Sequence, residues 1–372
     1  MLAKRLADGR QQTDSLFEIV KPEALYDRPV AERHRVVFYL GHLEAFDSNL
    51  LRGGPQSELD KLFAFGIDPV GGGLPTDLPR DWPSIDEIQK YNRNIRSAVD
   101  AMPVNEQLWN VAIEHRLMHA ETLAYMLHQM PVDAKIAQVS LQLAASEVIA
   151  GMITIPEGPV VLGLAQGFGW DNEFDAHEVH VNEFQIDRYK VTNGEFLKFI
   201  EAGGYEDESL KWLRDKGIKH PVFWKNESVY RTMFAEIPMP LDWPVYVSHS
   251  EASAYARWVG KSLPTEAEWQ RAAQSSTPGN TGFERWDPVP VTADASMVGN
   301  GWEWTSTLFK PFPGFQPFPF YPGYSANFFD DQHYVMKGGS ARTATCLLRP
   351  SFRNWFQPHY QYVYSGFRCV TR

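Results

Sequence analysis

Cysteine is almost missing from this sequence: 372 residues include two, Cys346 and Cys369. That excludes a disulfide-built scaffold and fits a reducing, cytoplasmic compartment. No apolar run is long enough to span a bilayer, so no membrane is expected as a partner. The opening stretch, MLAKRLADGRQQTDSLFEIV, turns polar at once and has no apolar core for a secretion signal. There is no basic run either. With a net charge of −11, a nucleic-acid surface is excluded as the main feature. What remains is an ordinary globular composition, 44% hydrophobic and 22% charged, in a chain long enough for two domains.

Residues 1 to about 150 read as helical. Residues 4–19 give a first helix and residues 30–51 a second with a strong apolar face, which Gly53-Gly54-Pro55 ends. Residues 59–65 suit a short helix. Residues 66–84, GIDPVGGGLPTDLPRDWPS, form an irregular loop long enough to suggest function. Ser84, with Glu87 three residues on, is a capping box that opens a helix through Val99. Residues 110–130 then run without Gly or Pro and are rich in Ala, Leu, Met and Glu. Four main helices with connections of mixed length predict a four-helix bundle.

The chemistry-bearing residues sit on the last helix. His115 and His119 are four residues apart, so they share one face a turn apart and can hold one metal ion. Alone, such a pair fits two core histidines as well. Glu121 points elsewhere, about 200° around the axis from His119. Arg116 follows the first histidine where a zinc protease needs Glu, which excludes that pattern. A third ligand must come from another segment. His42, among the apolar neighbours of FYLGHLEAF, faces the bundle interior and is the candidate. Three neutral imidazoles suit Fe(II), Zn or Cu, and spacing does not choose among them.

Residues 131–150 read as a connector. From Met152 the texture changes to alternating, β-branched segments, ITIPEGPVVLG and HEVHVNEFQIDRYKV, which predict strands. Short helices follow at TNGEFLKFIEAG, SHSEASAYARWVG and TEAEWQRAAQ, then a stretch of Gly, Pro, aromatics and short strands.

Five phrases occur in order in this half: VTNGEFLKFI (191–200), KSLPTEAEWQRAA (261–273), GNGWEWTS (299–306), KGGSA (337–341) and GFRC (366–369). Together they resemble the formylglycine-generating-enzyme domain, whose fold is C-type-lectin-like α+β. The first half resembles a DinB-type four-helix domain. That pair of domains, here 1–148 and 149–372, is similar to the ergothioneine-biosynthetic sulfoxide synthases. The resemblance implies a non-heme Fe(II) enzyme that uses O2 to join a thiol sulfur to the imidazole of hercynine. It makes His42, His115 and His119 the iron ligands. It also implies that Asn354 and Trp355, in RPSFRNW, line the hercynine pocket.

The departures bear on the sulfur donor. The best-known branch has an acid after Asn-Trp that helps hold γ-glutamylcysteine; here it is Phe356. Where that branch often has Gln before the second ligand histidine, near the substrate ammonium, this chain has Met118. The family's proton-donating tyrosine lies in the loop before GGS, here GFQPFPFYPGYSANFF. That loop keeps Tyr321 and Tyr324, but the family's catalytic tyrosine position falls on Phe318 or Pro319; Tyr321, which the resemblance places nearer the pocket lining, is the remaining catalytic candidate. Arg93 and Arg96, at i and i+3 on one helix face, lie at a place comparable to that of arginines that bind a substrate carboxylate in that branch; solvated surface arginines are the alternative.

The expected function is therefore a hercynine sulfoxide synthase favouring cysteine over γ-glutamylcysteine. A selenoneine synthase using a selenosugar is the alternative. A formylglycine-generating enzyme needs two closely spaced cysteines, and Cys346 and Cys369 are 23 positions apart. A lectin-like binding module without turnover would need no redox metal.

Overall fold

The computed structural model describes residues 1–64, 74–139 and 143–372. The chain divides into two units, Met1–Gln138 and Val139–Arg372. Of the loop expected at 66–84, residues 66–73 lie outside the described residues, as do 140–142 of the expected connector.

The first unit is helical: α1 (Leu2–Glu18), α2 (Val36–Arg52), α3 (Glu58–Leu62), α4 (Ile85–Asp100) and α5 (Glu106–His128). The capping box read from the sequence opens α4. Ser84 Oγ accepts from the Glu87 N–H, and the Glu87 carboxylate accepts from the Ser84 N–H at 2.9 Å. Asn105 caps α5 through the Leu108 N–H, at 3.1 Å. Residues 109–116 and 119–128 of α5 are buried, so this helix is covered nearly all round. α1 packs on α5, and α2 packs on both α4 and α5.

A buried ion network crosses these helices. Arg116 on α5 meets Glu44 at 3.0 Å and Asp47 at 2.6 Å, both on α2. Arg96 on α4 reaches Glu44 at 2.8 Å and Asp14 on α1 at 2.7 Å. Burial pushes the Glu44 carboxyl up, but Arg116 and Arg96 outweigh that and hold it below the usual range.

The second unit is built from short strands and loops. Strands β1 (Met152–Ile155), β2 (Gly158–Leu162), β3 (His177–Val181) and β4 (Phe184–Asp187) come first, followed by helices α6 (Asn193–Glu201) and α7 (Lys211–Asp215). Strands β5 (Trp224–Asn226), β6 (Val229–Arg231) and β7 (Glu236–Pro238) precede α8 (His249–Trp258) and α9 (Glu266–Ala273). The chain closes with β8 (Trp302–Leu308), β9 (Tyr334–Lys337), β10 (Asn354–Phe356), β11 (Ser365–Gly366) and β12 (Val370–Thr371). Among the described residues four sheets result, in the orders β1-β4-β12, β10-β9-β8-β11, β2-β3 and β5-β6-β7. β11 runs parallel to β8, and the other pairs are antiparallel. Trp269 of α9 packs with Val160, Val181, Phe184, Ile186 and Val370 as one apolar core.

The recognisable phrases of the sequence prove to be caps, turns and buried charges. Thr192, Ser248 and Thr265 each cap a helix, in a box with Glu195, Glu251 and Glu268. In GNGWEW the backbone turns through three positive φ values, 124° at Gly299, 55° at Asn300 and 113° at Gly301. The Asn300 side chain closes that turn by accepting from the Val289 N–H and donating to its carbonyl, both at 2.9 Å. Glu303 of the same phrase is fully buried between Lys190 (2.9 Å) and Arg368 of GFRC (3.1 Å). Burial raises the Glu303 carboxyl, but the two cations outweigh it and hold it below the usual range. Among the described residues, no helix is long and apolar enough to cross a membrane.

Removing Glu303 leaves two cations buried without their carboxylate. Glu303→Ala should cost about 3–5 kcal/mol, read as a lower urea midpoint for the second unit. A change below about 1 kcal/mol would show that the cluster relaxes into water.

Candidate functional site

His42 is positioned by a close approach. Gly41 precedes it in mid-helix, where glycine is unfavourable by about 0.5–1 kcal/mol relative to alanine. A Cβ at Gly41 would meet the Phe63 ring at 2.5 Å, so only glycine lets Phe63 pack there. The Phe63 carbonyl then lies 2.7 Å from His42 Nδ1. A carbonyl only accepts, so Nδ1 carries the proton and Nε2 keeps its lone pair. Nε2 is buried and has no hydrogen-bond partner among the described residues.

His115 and His119 face the same point from α5, with their Nε2 atoms 3.1 Å apart. One ligand atom from each of His42, His115 and His119 lies within 4.8 Å of the others, and all three residues are buried. Burial holds every ring neutral. His42 is lowered to about 4, with the Phe63 hydrogen bond opposing the shift only in part. His115 and His119 are lowered well below their usual value, first by burial and then by the other imidazoles and nearby arginines.

This donor set fits a metal ion. Metal–imidazole bonds of about 2.0–2.1 Å at right angles put ligand nitrogens about 3 Å apart, which matches the His115–His119 separation. Neutral rings whose buried Nε2 atoms converge, one of them the orphaned Nε2 of His42, are what such an ion requires. Spacing on α5 identified two of the three, and the buried face of α2 supplies the third.

The other first-unit residues singled out from sequence fall in different settings. Met118 is half-buried and Glu121 is buried, both on α5. Arg93 is exposed on α4. Arg96, three residues on, donates from Nε and Nη2 to Glu44 and from Nη1 and Nη2 to Asp14. Four of its five N–H directions are thereby engaged within the helical unit. Sequence reading passed over Phe38, Phe46 and Phe63, which surround the histidines. The recurrence of aromatic or histidine residues at 38, 42 and 46 was the available signal.

In the second unit, Asn354, Trp355 and Phe356 form β10, an edge strand, and all three are half-buried. Asn354 Oδ1 accepts from the Trp355 backbone N–H at 2.9 Å. The Trp355 indole lies flat on Phe309, with centroids 4.1 Å apart and planes 7° apart. Tyr324 stands edge-on to it at 5.4 Å, and Phe328 tilts against it at 5.7 Å. Phe356 stacks on Tyr360 at 4.9 Å and 10°. Tyr321 is half-buried and lies 5.5 Å from Tyr324. Its loop is tied down at Ser325, which donates to Asp171 and accepts from Asn172 at 2.9 Å. Cys346 is half-buried and Cys369 buried.

The sequence matches the sulfatase-modifying factor enzyme 1-like domain over residues 139–286 and 294–372. It is 34% identical to a hercynine oxygenase of Mycolicibacterium smegmatis, over 99% of this chain and 98% of that protein. It is 26% identical to ergothioneine biosynthesis protein 1 of Neurospora crassa, over 95% of this chain but 55% of that protein. So the chain spans about half the length of its fungal relative and nearly all of the mycobacterial one. A formylglycine-generating enzyme of Streptomyces coelicolor is 27% identical over only 43% of this chain. The similarity that runs through both units, and not the domain alone, carries the assignment: the chain belongs to the ergothioneine-biosynthetic sulfoxide synthase family.

Proposed function

We propose that this protein is an Fe(II)- and O2-dependent enzyme that joins hercynine to a small thiol and oxidises the sulfur. The observation that carries the reading is the buried cluster of His42, His115 and His119, three neutral imidazoles with converging nitrogens. The names of the relatives supply the substrate. The helical packing of the first unit supports a DinB-type four-helix bundle, and the domain match supports a C-type-lectin-like second unit. A sequence with two cysteines suits a reducing cytoplasm.

The reaction balances with one O2. A thiol S–H and an imidazole C–H are lost, a C–S bond forms, and one oxygen atom goes to sulfur while the other leaves as water. Iron bound by the three imidazoles would supply the electron transfer to O2 and a binding position for the sulfur. The protein's own part is positional. Trp355, supported by Phe309, offers an aromatic wall suited to the trimethylammonium group of hercynine. Asn354 can donate and accept at a polar atom of the same ligand. Tyr321 is the candidate proton donor. Arg93, Arg96 and Met118 complete the proposed substrate contacts, and Arg96 would do so alongside its ion pairs with Asp14 and Glu44.

The stacked pair of Phe356 and Tyr360 gives the donor side an apolar surface. That favours cysteine over γ-glutamylcysteine. The same surface suits a selenosugar, so selenoneine synthesis is the second reading. A formylglycine-type copper site, which needs two closely spaced cysteines, gains no support from Cys346 and Cys369, 23 positions apart.

Three outcomes test this reading. Replacing His42, His115 or His119 by Ala should strip bound iron and abolish turnover; full iron occupancy in all three variants would remove the assignment. Trp355→Ala should weaken hercynine binding about tenfold or more, corresponding to the ~1.4 kcal/mol or more that one aromatic face gives a desolvated cation. Iron content should not change. Equal hercynine affinity in a folded variant would take Trp355 out of the pocket. In a competition of cysteine, γ-glutamylcysteine and a selenosugar with hercynine, mass spectrometry should find γ-glutamylcysteine the poorest donor. Its dominance would reverse the reading of Phe356.

A further inference from the structure

Metal-binding imidazoles are ordinarily oriented by a hydrogen bond from their other ring nitrogen to a carbonyl or carboxylate. His42 has such a bond, to the Phe63 carbonyl. His115 and His119 differ. Nδ1 of each is buried and has no hydrogen-bond partner among the described residues. Their ring planes must be fixed by something else.

The aromatic side chains of α2 are placed to do it. Phe46 lies flat on His115, with centroids 3.3 Å apart and planes 8° apart. Tyr39 tilts against His119 at 5.9 Å, and Phe38 stacks on His42 at 4.8 Å and 25°. Residues 38, 42 and 46 follow one another at i, i+4 and i+8, so one stripe of α2 reads plate, ligand, plate. The tightest and flattest of these contacts falls on a histidine without a partner at Nδ1.

We propose that Phe46 is a positioning residue of the metal centre: its ring, stacked on His115, sets the plane of that imidazole. The inference rests on the three-histidine reading above. A phenyl ring at this separation blocks rotation of the imidazole, because turning it would drive its edge into the phenyl face. An aliphatic side chain of similar volume fills the space but defines no plane. An imidazole with no acceptor at Nδ1 is also a weaker base. Ring placement, more than ligand basicity, then governs how tightly His115 holds an ion.

The test uses the full chain without substrate. Co(II) is titrated in as a spectroscopic probe, and affinity is read together with the visible d–d bands. Phe46→Leu should lose about tenfold or more in Co(II) affinity, the size of effect seen when an orienting group is removed, and its bands should shift. Phe46→Tyr keeps the ring and should restore both. A packing role alone would move the thermal midpoint and leave the bands unchanged. Phe46→Met is the second aliphatic variant if Phe46→Leu does not fold. Wild-type affinity and bands in a folded aliphatic variant would overturn the inference while leaving the three-histidine reading intact. If the wild-type chain binds no Co(II), the three-histidine reading falls, and this inference falls with it.

Discussion

Arg116 is an arginine with almost no access to water, and it cannot shed its charge. Its guanidinium must find carboxylates, and those within reach are Glu44 and Asp47 on α2. That requirement fixes the rotation of α5 about its axis. His115 directly precedes Arg116, so the rotation that seats the arginine also decides where the imidazole points. On α2 the same holds in mirror form, since Glu44 follows His42 by two residues. Ion network and ligand set share one register, and a slip of either helix would break both. Buried pairs of this kind add little net stability because desolvation offsets much of their attraction. Their value here is positional, and Arg96 extends the constraint to α4 and α1.

The second unit solves a different problem with similar means. Its strands are short and its loops long, so backbone pairing alone does not define it. Buried carboxylates gather cations from segments far apart in sequence. Glu266 takes Arg353 at 3.0 Å and Lys337 at 3.8 Å, and Glu173 takes Arg349. Burial lowers Lys337 to about 8, with Glu266 opposing the shift. One such anchor runs straight to the aromatic wall. The Arg353 guanidinium lies 4.9 Å from the Phe309 ring, and Phe309 stacks flat on Trp355. Trp355 is therefore backed, through Phe309, by a buried ion pair.

What could be read from sequence follows the range of the forces involved. The Ser84–Glu87 box and the helical histidine pair are local, and both were legible. His42 was legible as an interior histidine and hence as a candidate partner for the pair on α5, but no local pattern links residues 73 and 77 positions apart, so the family resemblance was needed to make it a ligand. Arg93 and Arg96 looked alike at i and i+3. The structure separates them: Arg93 is exposed, and Arg96 finds partners 52 and 82 residues away. The sheet β5-β6-β7 was not anticipated, because three-residue strands are too short to show a period. Phe46 was passed over because an aromatic on an apolar helix face ordinarily means core.

The composition of the ligand group has a chemical consequence. Many non-heme iron sites pair two histidines with one carboxylate, which cancels part of the metal charge. The group assembled here is three histidines with no carboxylate among them, and all three rings are held neutral. Three neutral imidazoles leave a divalent charge uncompensated, so the site favours an anionic further ligand. The thiolate of a donor is such an anion, and coordination would favour its deprotonation. A selenolate would balance the charge equally well. If the group holds a divalent ion, its neutral imidazoles would accept an anionic sulfur or selenium ligand alike. Under the proposed function, that choice would pass to the residues that recognise the rest of the donor, for which Phe356, stacked on Tyr360, is the proposed candidate.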